Sequence, residues 1–192
     1  MINRENQRIR LTKRMLRESM MELLKEKSVE SISVKELCER AEINRSTFYT
    51  HYCDVFELYK EMETEFIASL NEYILQVQKE GPHSDEAEMD AIQLMLEYIQ
   101  DHADLYRALF FGNRIDSAQS TYARAQRNII DQLMKLYPDI EPVQKEYIFQ
   151  FCVQGGNGII WHWMKSGFNV EPVELAEMIR TYTNSVVRCV SL

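Results

Sequence analysis

NRSTFYTHY, residues 44–52, brings three aromatic rings, two threonines, an arginine and a histidine together in nine positions. If the stretch is a helix, Phe48 and Tyr52 are four residues apart and share one face. The polar groups point elsewhere: Arg45, Thr47, Tyr49 and Thr50. The pattern predicts a short helix that hides two rings and shows a row of hydrogen-bonding groups.

Capping signals place a second short helix just before this one. Ser33 and Glu36 form the S-x-x-E capping box, and the helix that they open turns Leu37 and Ala41 toward the core. Asn44 is a favourable N-cap for the helix that follows. With the apolar-periodic helix that precedes them, two short helices joined by three or four residues indicate a helix-turn-helix.

The second short helix of a helix-turn-helix enters the major groove of DNA. Phe48 and Tyr52 would anchor it to the domain core. Hydroxyl and guanidinium groups, which reach base edges and phosphates, would then meet DNA from Arg45, Ser46, Thr47, Tyr49 and Thr50. From spacing alone, the alternative is an ordinary capped helix pair of an α-helical bundle, with the aromatic rings as plain core.

The charge of the chain is unevenly distributed. The net charge is −8, but residues 1–53 hold 11 Lys and Arg against 8 Asp and Glu, and residues 1–17 hold six against one. Residues 54–192 carry a net charge of −11. A basic arm on an acidic body would orient a polyanion toward one end of the molecule.

The longer stretch SISVKELCERAEINRSTFYTHYCDVFELY, residues 31–59, resembles the N-terminal domain of TetR-type transcriptional regulators. Their recognition helix reads T-[LF]-Y-x-H-[FY], and the matching residues here are Thr47, Phe48, Tyr49, His51 and Tyr52. The resemblance implies DNA contacts by Ser33, Lys35, Asn44, Arg45, Ser46, Thr47, Tyr49 and Thr50. It gives His51 a bracing or backbone-contacting role.

Two positions depart from the family pattern. Glu42 stands in the turn where the family usually has glycine, and Val55 stands where members often have lysine. The first change puts a relaxed turn geometry in doubt. The second implies that one phosphate contact at the start of the fourth helix is missing.

Nearly every other segment has a helical period, so we expect an all-α protein of about nine helices. A helix opens at Asp54, with Phe56, Tyr59 and Phe66 in step, and GPHSD at residues 81–85 is a loop. Further helices are expected over residues 116–137, from Pro142 to about Lys165, and over residues 172–189. The chain is divided into a helix-turn-helix DNA-binding domain, residues 1–55, and an effector-sensing and dimerisation domain, residues 56–192.

The segment EYIFQFCVQGGNGIIWHWMKSGF, residues 146–168, is apolar or small around nearly its whole circumference. Such a helix must be covered on two sides, by its own subunit and by a second one. Glycine costs about 1 kcal/mol relative to alanine inside a helix, and close approach of a partner helix would offset that cost. We therefore expect a homodimer interface at Gly155, Gly158, Trp161, Tyr182 and Val186.

The same segment also resembles a TetR-like branch that includes quasi-TetR activators of dihydroxyacetone kinase operons. This resemblance implies control by a protein partner rather than by a small molecule. A small-molecule pocket is the other interpretation, lined by Met95, Tyr98, Tyr106, Phe110, Phe149, Trp161 and Trp163. A methionine and aromatic set at helical spacing is also what plain core looks like.

The sequence offers no enzyme motif: no G-x-S-x-G, no H-E-x-x-H, no paired E-x-x-H and no Walker motif. The four cysteines have no paired spacing, so we expect free thiols, no metal site and no cofactor. A charged N-terminus and the lack of a long apolar run indicate a cytoplasmic protein.

The sequence therefore predicts a dimeric regulator that binds a palindromic operator in double-stranded DNA. A repressor released by a small-molecule effector is the first hypothesis. A co-regulator or activator controlled by a protein partner is the alternative.

Overall fold

A computed structural model describes residues 4–80, 91–110 and 140–190, and helices account for nearly all of these residues. Within these ranges the chain forms eight α-helices, one 3-10 turn at Val29–Ser31 and no strand. The helices are α1 Arg4–Glu26, α2 Val34–Arg40, α3 Arg45–Tyr49, α4 Val55–Glu80, α5 Ala91–Asp101, α6 Ala103–Phe110, α7 Pro142–Lys165 and α8 Pro172–Val190. The predicted all-α class is confirmed, while the loop at residues 81–85 and the helix at 116–137 lie outside the described residues.

The predicted caps open α2, α3 and α4. The Ser33 hydroxyl accepts a hydrogen bond from the Glu36 backbone N–H (3.2 Å) at the start of α2. Asp54 does the same for the backbone N–H of Glu57 (2.8 Å) at the start of α4, and the Glu57 carboxylate accepts from the Cys53 N–H (2.6 Å). These bonds satisfy backbone donors that have no partner inside a helix.

The turn between α2 and α3 is a Schellman motif closed by a non-glycine residue. The Ile43 N–H donates to the Cys38 carbonyl (2.9 Å) and the Glu42 N–H to the Glu39 carbonyl (3.4 Å). This pattern places Glu42 in the left-handed region, at φ +54°. The tight turn is therefore kept without glycine, at the steric cost that a Cβ imposes there.

The described residues fall into two compact units. Of these residues, the first unit holds 4–66 and 104–110, and the second holds 67–80, 91–103 and 140–190. The predicted domain boundary after residue 55 stays a prediction, because compact packing alone does not define a functional domain.

The first unit has a core of side chains shielded from solvent. Fully buried members come from α1 through α4 and the 3-10 turn: Leu16, Met20, Leu23, Val29, Leu37, Phe48 and Leu58. On α4 the buried row is Val55, Leu58, Tyr59, Met62 and Phe66, whereas Phe56 is 47 % exposed. The prediction that Phe56 is in step with Tyr59 and Phe66 was wrong, because the face that α4 buries starts one residue earlier, at Val55.

Among the described residues, the second unit contains the C-terminal part of α4 together with α5, α7 and α8, and α8 packs against both α5 and α7. Gly167, at φ +72°, ends α7, and the Phe168 N–H returns to the Trp163 carbonyl (2.9 Å). The buried Trp163 indole donates to the Val170 carbonyl (2.8 Å) and meets the Phe168 ring edge-on at 4.8 Å. One tryptophan thus fixes the turn that brings α8 back along α7.

No helix within the described ranges is both long enough and apolar enough to cross a membrane.

Glu42→Gly is expected to raise the free energy of unfolding by about 0.5–1 kcal/mol. Relief of a left-handed side chain, about 1–2 kcal/mol, exceeds the extra chain entropy that glycine brings to the unfolded state, about 0.4–1 kcal/mol. Urea unfolding followed by circular dichroism measures the change. Ala41→Gly, at a position with ordinary helical φ, is the control and should lower stability. Equal or lower stability of Glu42→Gly would show that the turn carries no strain.

Candidate nucleic-acid interface

Helix α3 is held by the two rings that the sequence sets four residues apart. Phe48 is 0 % and Tyr52 2 % exposed, and their ring centroids lie 5.7 Å apart. Phe48 also meets the ring of Tyr49 edge-on at 5.5 Å. Leu37 and Ala41 of the preceding helix segment are buried as well. A helix of five residues cannot be stable alone, so this packing fixes its position.

Several hydroxyl and amide groups of α3 have structural partners. The Asn44 Oδ1 accepts from both the backbone N–H and the hydroxyl of Ser46, each at 3.1 Å. The Thr50 hydroxyl donates to the Thr47 carbonyl at 2.6 Å. These hydrogen bonds cap the two ends of the helix. The hydroxyl groups of Ser46 and Thr50 are therefore already engaged in the absence of a ligand.

Two side chains of α3 keep their full recognition capacity. Arg45 and Tyr49 are one turn apart on the helix and both are exposed, Tyr49 to 57 %. An arginine can bind a guanine edge or a phosphate through two parallel hydrogen bonds, and a tyrosine hydroxyl can reach a phosphate. Arg45 and Tyr49 are therefore the residues of α3 best placed to read a nucleic acid.

The other predicted contact residues are engaged in local contacts or are partly buried. Ser33 is exposed but caps α2, and Lys35 is exposed with Glu39 at 3.9 Å. Thr47 is half-buried. His51 is also half-buried, and its ring centroid lies 6.5 Å from that of Tyr52, consistent in place with a bracing role.

A single carboxylate joins α3 to the two long helices of the first unit. Glu61 of α4 accepts hydrogen bonds from Lys13 Nζ (3.0 Å), from Arg17 and from the Tyr52 hydroxyl (3.0 Å). Arg17 also binds Glu65 (2.6 Å), one turn further along α4. Lys13 Nζ lies 5.1 Å from the Tyr52 ring centroid, over its face. We call Lys13, Arg17, Tyr52 and Glu61 the Glu61 hub.

The hub alters the acidity of its members. Partial burial raises the pKa of Glu61, but the hydrogen bonds from Lys13, Arg17 and Tyr52 outweigh it, so the pKa is below its usual 4.5. The bond to Glu61 raises the pKa of Lys13 above 10.5. Burial, followed by the bond to Glu61, raises the pKa of Tyr52 above 10.0. Near neutral pH, Glu61 is therefore ionised while Lys13 stays charged and Tyr52 keeps its proton.

The sequence interpretation missed the hub. Its signal is present in hindsight: Lys13 and Arg17 are four apart on α1, and Glu61 and Glu65 are four apart on α4. Matching i,i+4 pairs of opposite charge fit two helices that lie side by side. The sequence does not say which of the chain's many such pairs face each other.

The residues predicted for a dimer interface lie on α7 and α8. Gly155, Gly158 and Tyr182 are exposed, while Trp161 is half-buried and lies under Lys165 Nζ at 4.9 Å. Val186 packs partly against its own chain, on the cluster of Ile140, Ile148 and Val187. A Cβ added at Gly155, Gly156 or Gly158 would meet no described atom within 4 Å. Nothing described within this chain therefore approaches the glycines.

The predicted pocket residues are divided between the two units. In the first unit, Tyr106 and Phe110 pack with Phe66, at centroid distances of 5.0–5.7 Å. In the second, Tyr98 stacks on His102 at 4.1 Å and contacts Tyr73 at 5.5 Å. Phe149 and Trp163 are buried, and Met95 and Trp161 are half-buried. These rings contribute to the core of each unit, and their role as a ligand pocket stays a prediction.

The chain matches one family model over residues 86–185, that of the TetR-type "transcriptional regulator C-terminal region". A relative in Bacillus subtilis (strain 168), the uncharacterised HTH-type transcriptional regulator YxbF, is 18 % identical over 171 residues. The match covers 85 % of this chain, and the chain spans 42 % of the length of YxbF.

Two solved structures resemble the fold. One is a transcriptional regulator of the TetR/AcrR family from Aquifex aeolicus VF5, with a TM-score of 0.53 and 19 % identity, covering 91 % of this chain and 99 % of that one. The other is a putative transcriptional regulator from Pseudomonas aeruginosa PAO1, with a TM-score of 0.55 and 15 % identity, covering 91 % and 89 %. The matching family model and both structures concern transcriptional regulators rather than enzymes.

Glu61→Gln is expected to destabilise the protein at pH 7 by about 1–3 kcal/mol, because charged hydrogen bonds are lost. Since the folded pKa of Glu61 is lowered, its contribution is complete above the unfolded pKa and disappears as pH falls through the folded value. The difference between wild type and variant should therefore shrink below about pH 4.5. Urea unfolding at pH 7, 5 and 3.5 measures it.

The control for this experiment is Glu65→Gln. Glu65 is 53 % exposed and bonds only Arg17 among its described partners, so its removal should cost much less. A Glu61→Gln difference that stays constant from pH 7 to 3.5 would contradict the hub's electrostatic role.

Proposed function

The chain belongs to the TetR family of transcriptional regulators, and on that premise we propose that it acts in the cytoplasm as a homodimeric, sequence-specific DNA-binding protein. The observation that carries the proposal is the arrangement of α3. Phe48 and Tyr52 anchor the helix in the core, and Arg45 and Tyr49 face solvent with no structural duty in the helix caps.

The basic arm supports the same assignment. Residues 1–17 hold six Lys and Arg against one acidic residue, in a chain whose overall charge is −8. A cationic segment attached to the helix-turn-helix raises the local affinity for a polyanion, and the acidic remainder keeps DNA from binding elsewhere.

Dimerisation through α7 and α8 is the second part of the proposal. Val143, Tyr147 and Phe151 are 65–73 % exposed and follow one another at intervals of four residues, leading into the exposed Gly155 and Gly158. A row of large apolar groups continued by glycines lets a second helix approach closely. Two copies joined in this way would present two α3 helices to the half-sites of a palindromic operator.

The form of regulation that we propose is repression released by a small-molecule effector. An effector that binds one arrangement of the dimer more tightly would shift the population away from the DNA-binding form. Control by a protein partner is the second candidate, and the exposed apolar row on α7 is the observation that favours it. The dimerisation experiment below separates the two uses of that row.

Selection of the purified protein against a random duplex library, at one fixed salt concentration, should enrich a palindromic sequence. Arg45→Ala and Tyr49→Ala should each weaken binding to the selected duplex by about 1–3 kcal/mol, because each removes one recognition contact. Binding is measured by fluorescence anisotropy, and melting temperatures should match wild type.

Arg107→Ala is the control for charge and size. Arg107 is an exposed arginine on α6, paired with Asp104 at 3.6 Å. Its removal should leave binding unchanged. Unaltered affinity of both α3 variants would overturn the assignment of α3 as the recognition helix.

Gly155→Leu tests the dimer. Glycine is the poorer helix former by about 1 kcal/mol, and the added side chain meets no described atom near Cβ, so the single chain should gain helix stability. Dimer dissociation, measured by sedimentation equilibrium, should nevertheless increase at least tenfold because a partner helix would be displaced. Gly155→Ala, with one methyl group, should give a smaller effect.

A dimer whose dissociation is unchanged in Gly155→Leu would contradict this interface. The apolar row of α7 would then be free for a protein partner. A wild-type monomer at micromolar concentration would overturn the dimer itself.

A further inference from the structure

Helix α1 carries a row of cations along one face. Arg10, Lys13, Arg14 and Arg17 follow the i, i+3, i+4, i+7 spacing of a single helix stripe. Together with Glu61 and Glu65 of α4 they line a cleft of about 500 Å³ in the first unit. Four positive and two negative groups give this cleft a net positive charge.

The ion pairs fix how α1 and α4 are aligned. Lys13 binds Glu61 and Arg17 binds Glu65, both at a sequence separation of 48. These bonds tie one turn of α1, residues 13–17, to one turn of α4, residues 61–65. The start of α4 lies six residues after α3 ends, and Lys13 already lies over the ring of Tyr52. Arg10, one turn before Lys13 on α1, lines the same cleft as Lys13.

The cations of this row differ in how far they are already neutralised. Lys13 and Arg17 are engaged by Glu61 and Glu65. Arg14 has Glu18 at 3.6 Å, but both side chains are 68 % exposed, and such a pair contributes little. Arg10 is exposed and has no carboxylate partner among the described side chains. Arg10 and Arg14 are thus the two charges available to a ligand.

The neighbouring turn of α4 supplies no cation of its own. Val55 is buried, and Asp54 and Glu57 are acidic residues engaged in capping. A phosphate that approaches the cleft between α1 and α4 would therefore meet positive charge from α1 rather than from the start of α4.

We propose that Arg10 and Arg14 of α1 bind the phosphate backbone of DNA beside the groove that α3 enters. The inference rests on the proposed function, and it adds a second contact element to the recognition helix. Guanidinium groups suit this role because their paired N–H donors match two phosphate oxygens. Such contacts hold the protein in register on the duplex and carry no base information.

The test is the salt dependence of binding. Binding of wild type and of the Arg10→Gln/Arg14→Gln double variant is measured from 50 to 300 mM KCl, on the selected duplex and on one of unrelated sequence. Each lost phosphate contact lowers the slope of log affinity against log salt by about 0.9, so the double variant should lose about 1.8. Affinity should fall by a similar factor on both duplexes, since base readout is untouched.

Two controls isolate the local contact. The Arg10→Lys/Arg14→Lys variant keeps both charges and should keep most of the wild-type slope. Lys165→Gln removes one charge at the end of α7 and should leave the slope unchanged. Because all substituted side chains are exposed, melting temperatures should stay at the wild-type value.

The outcomes separate the two proposals. If wild type binds no duplex, the proposed function and this inference both fail. If wild type binds its selected duplex and the double variant keeps the full slope, only this inference fails. An equal loss of slope in Lys165→Gln would also overturn it, because the slope would then follow net charge rather than a contact at α1.

Discussion

The first unit of the molecule depends on one constraint, the carboxylate of Glu61. It accepts from Lys13 and Arg17 of α1 and from the hydroxyl of Tyr52, the ring that anchors α3. The position of α3 is thus tied to both long helices through one side chain of intermediate burial. The hydrogen bonds from two cations and one hydroxyl compensate the free-energy cost of removing the Glu61 carboxylate from water. An unpaired carboxylate at the same place would lack this compensation. The same hub holds two of the four cations of the α1 row and leaves Arg10 and Arg14 to solvent.

The polar side chains of α2 and α3 fall into two groups: some cap helix ends, and others face solvent, where they can contact a ligand. Ser33, Asn44 and Thr50 complete helix ends, where backbone groups would otherwise lack partners. Arg45 and Tyr49 have no such duty and face outward from rings that are fully enclosed. A short helix can be both rigid and available in this way, because its stability comes from Phe48 and Tyr52 rather than from its own length.

Local chemistry made part of this structure predictable. The caps at Ser33 and Asn44, the start of α7 at Pro142 and its end before Gly167 each depend on residues within one turn of each other. The separation of Phe48 and Tyr52 from the exposed residues of α3 follows from helical spacing alone. Phe56 was misassigned because the apolar character of a side chain does not tell which face of the helix is buried. Tertiary packing buries Val55 and leaves Phe56 half exposed. The Glu61 hub was missed because it joins residues 9 to 48 positions apart, and no local rule selects that pairing.

The two hydrogen bonds that Ser46 donates to the Asn44 side chain have a consequence for how the sequence of such a protein can diverge. Most substitutions at Asn44 would alter the proposed DNA-binding surface and a helix cap together, so a gain in one property carries a loss in the other. Arg45 and Tyr49 are free of this coupling. Lineages that acquire new target sites should therefore vary at Arg45 and Tyr49 first, while Asn44 drifts slowly and only among residues that can still cap a helix.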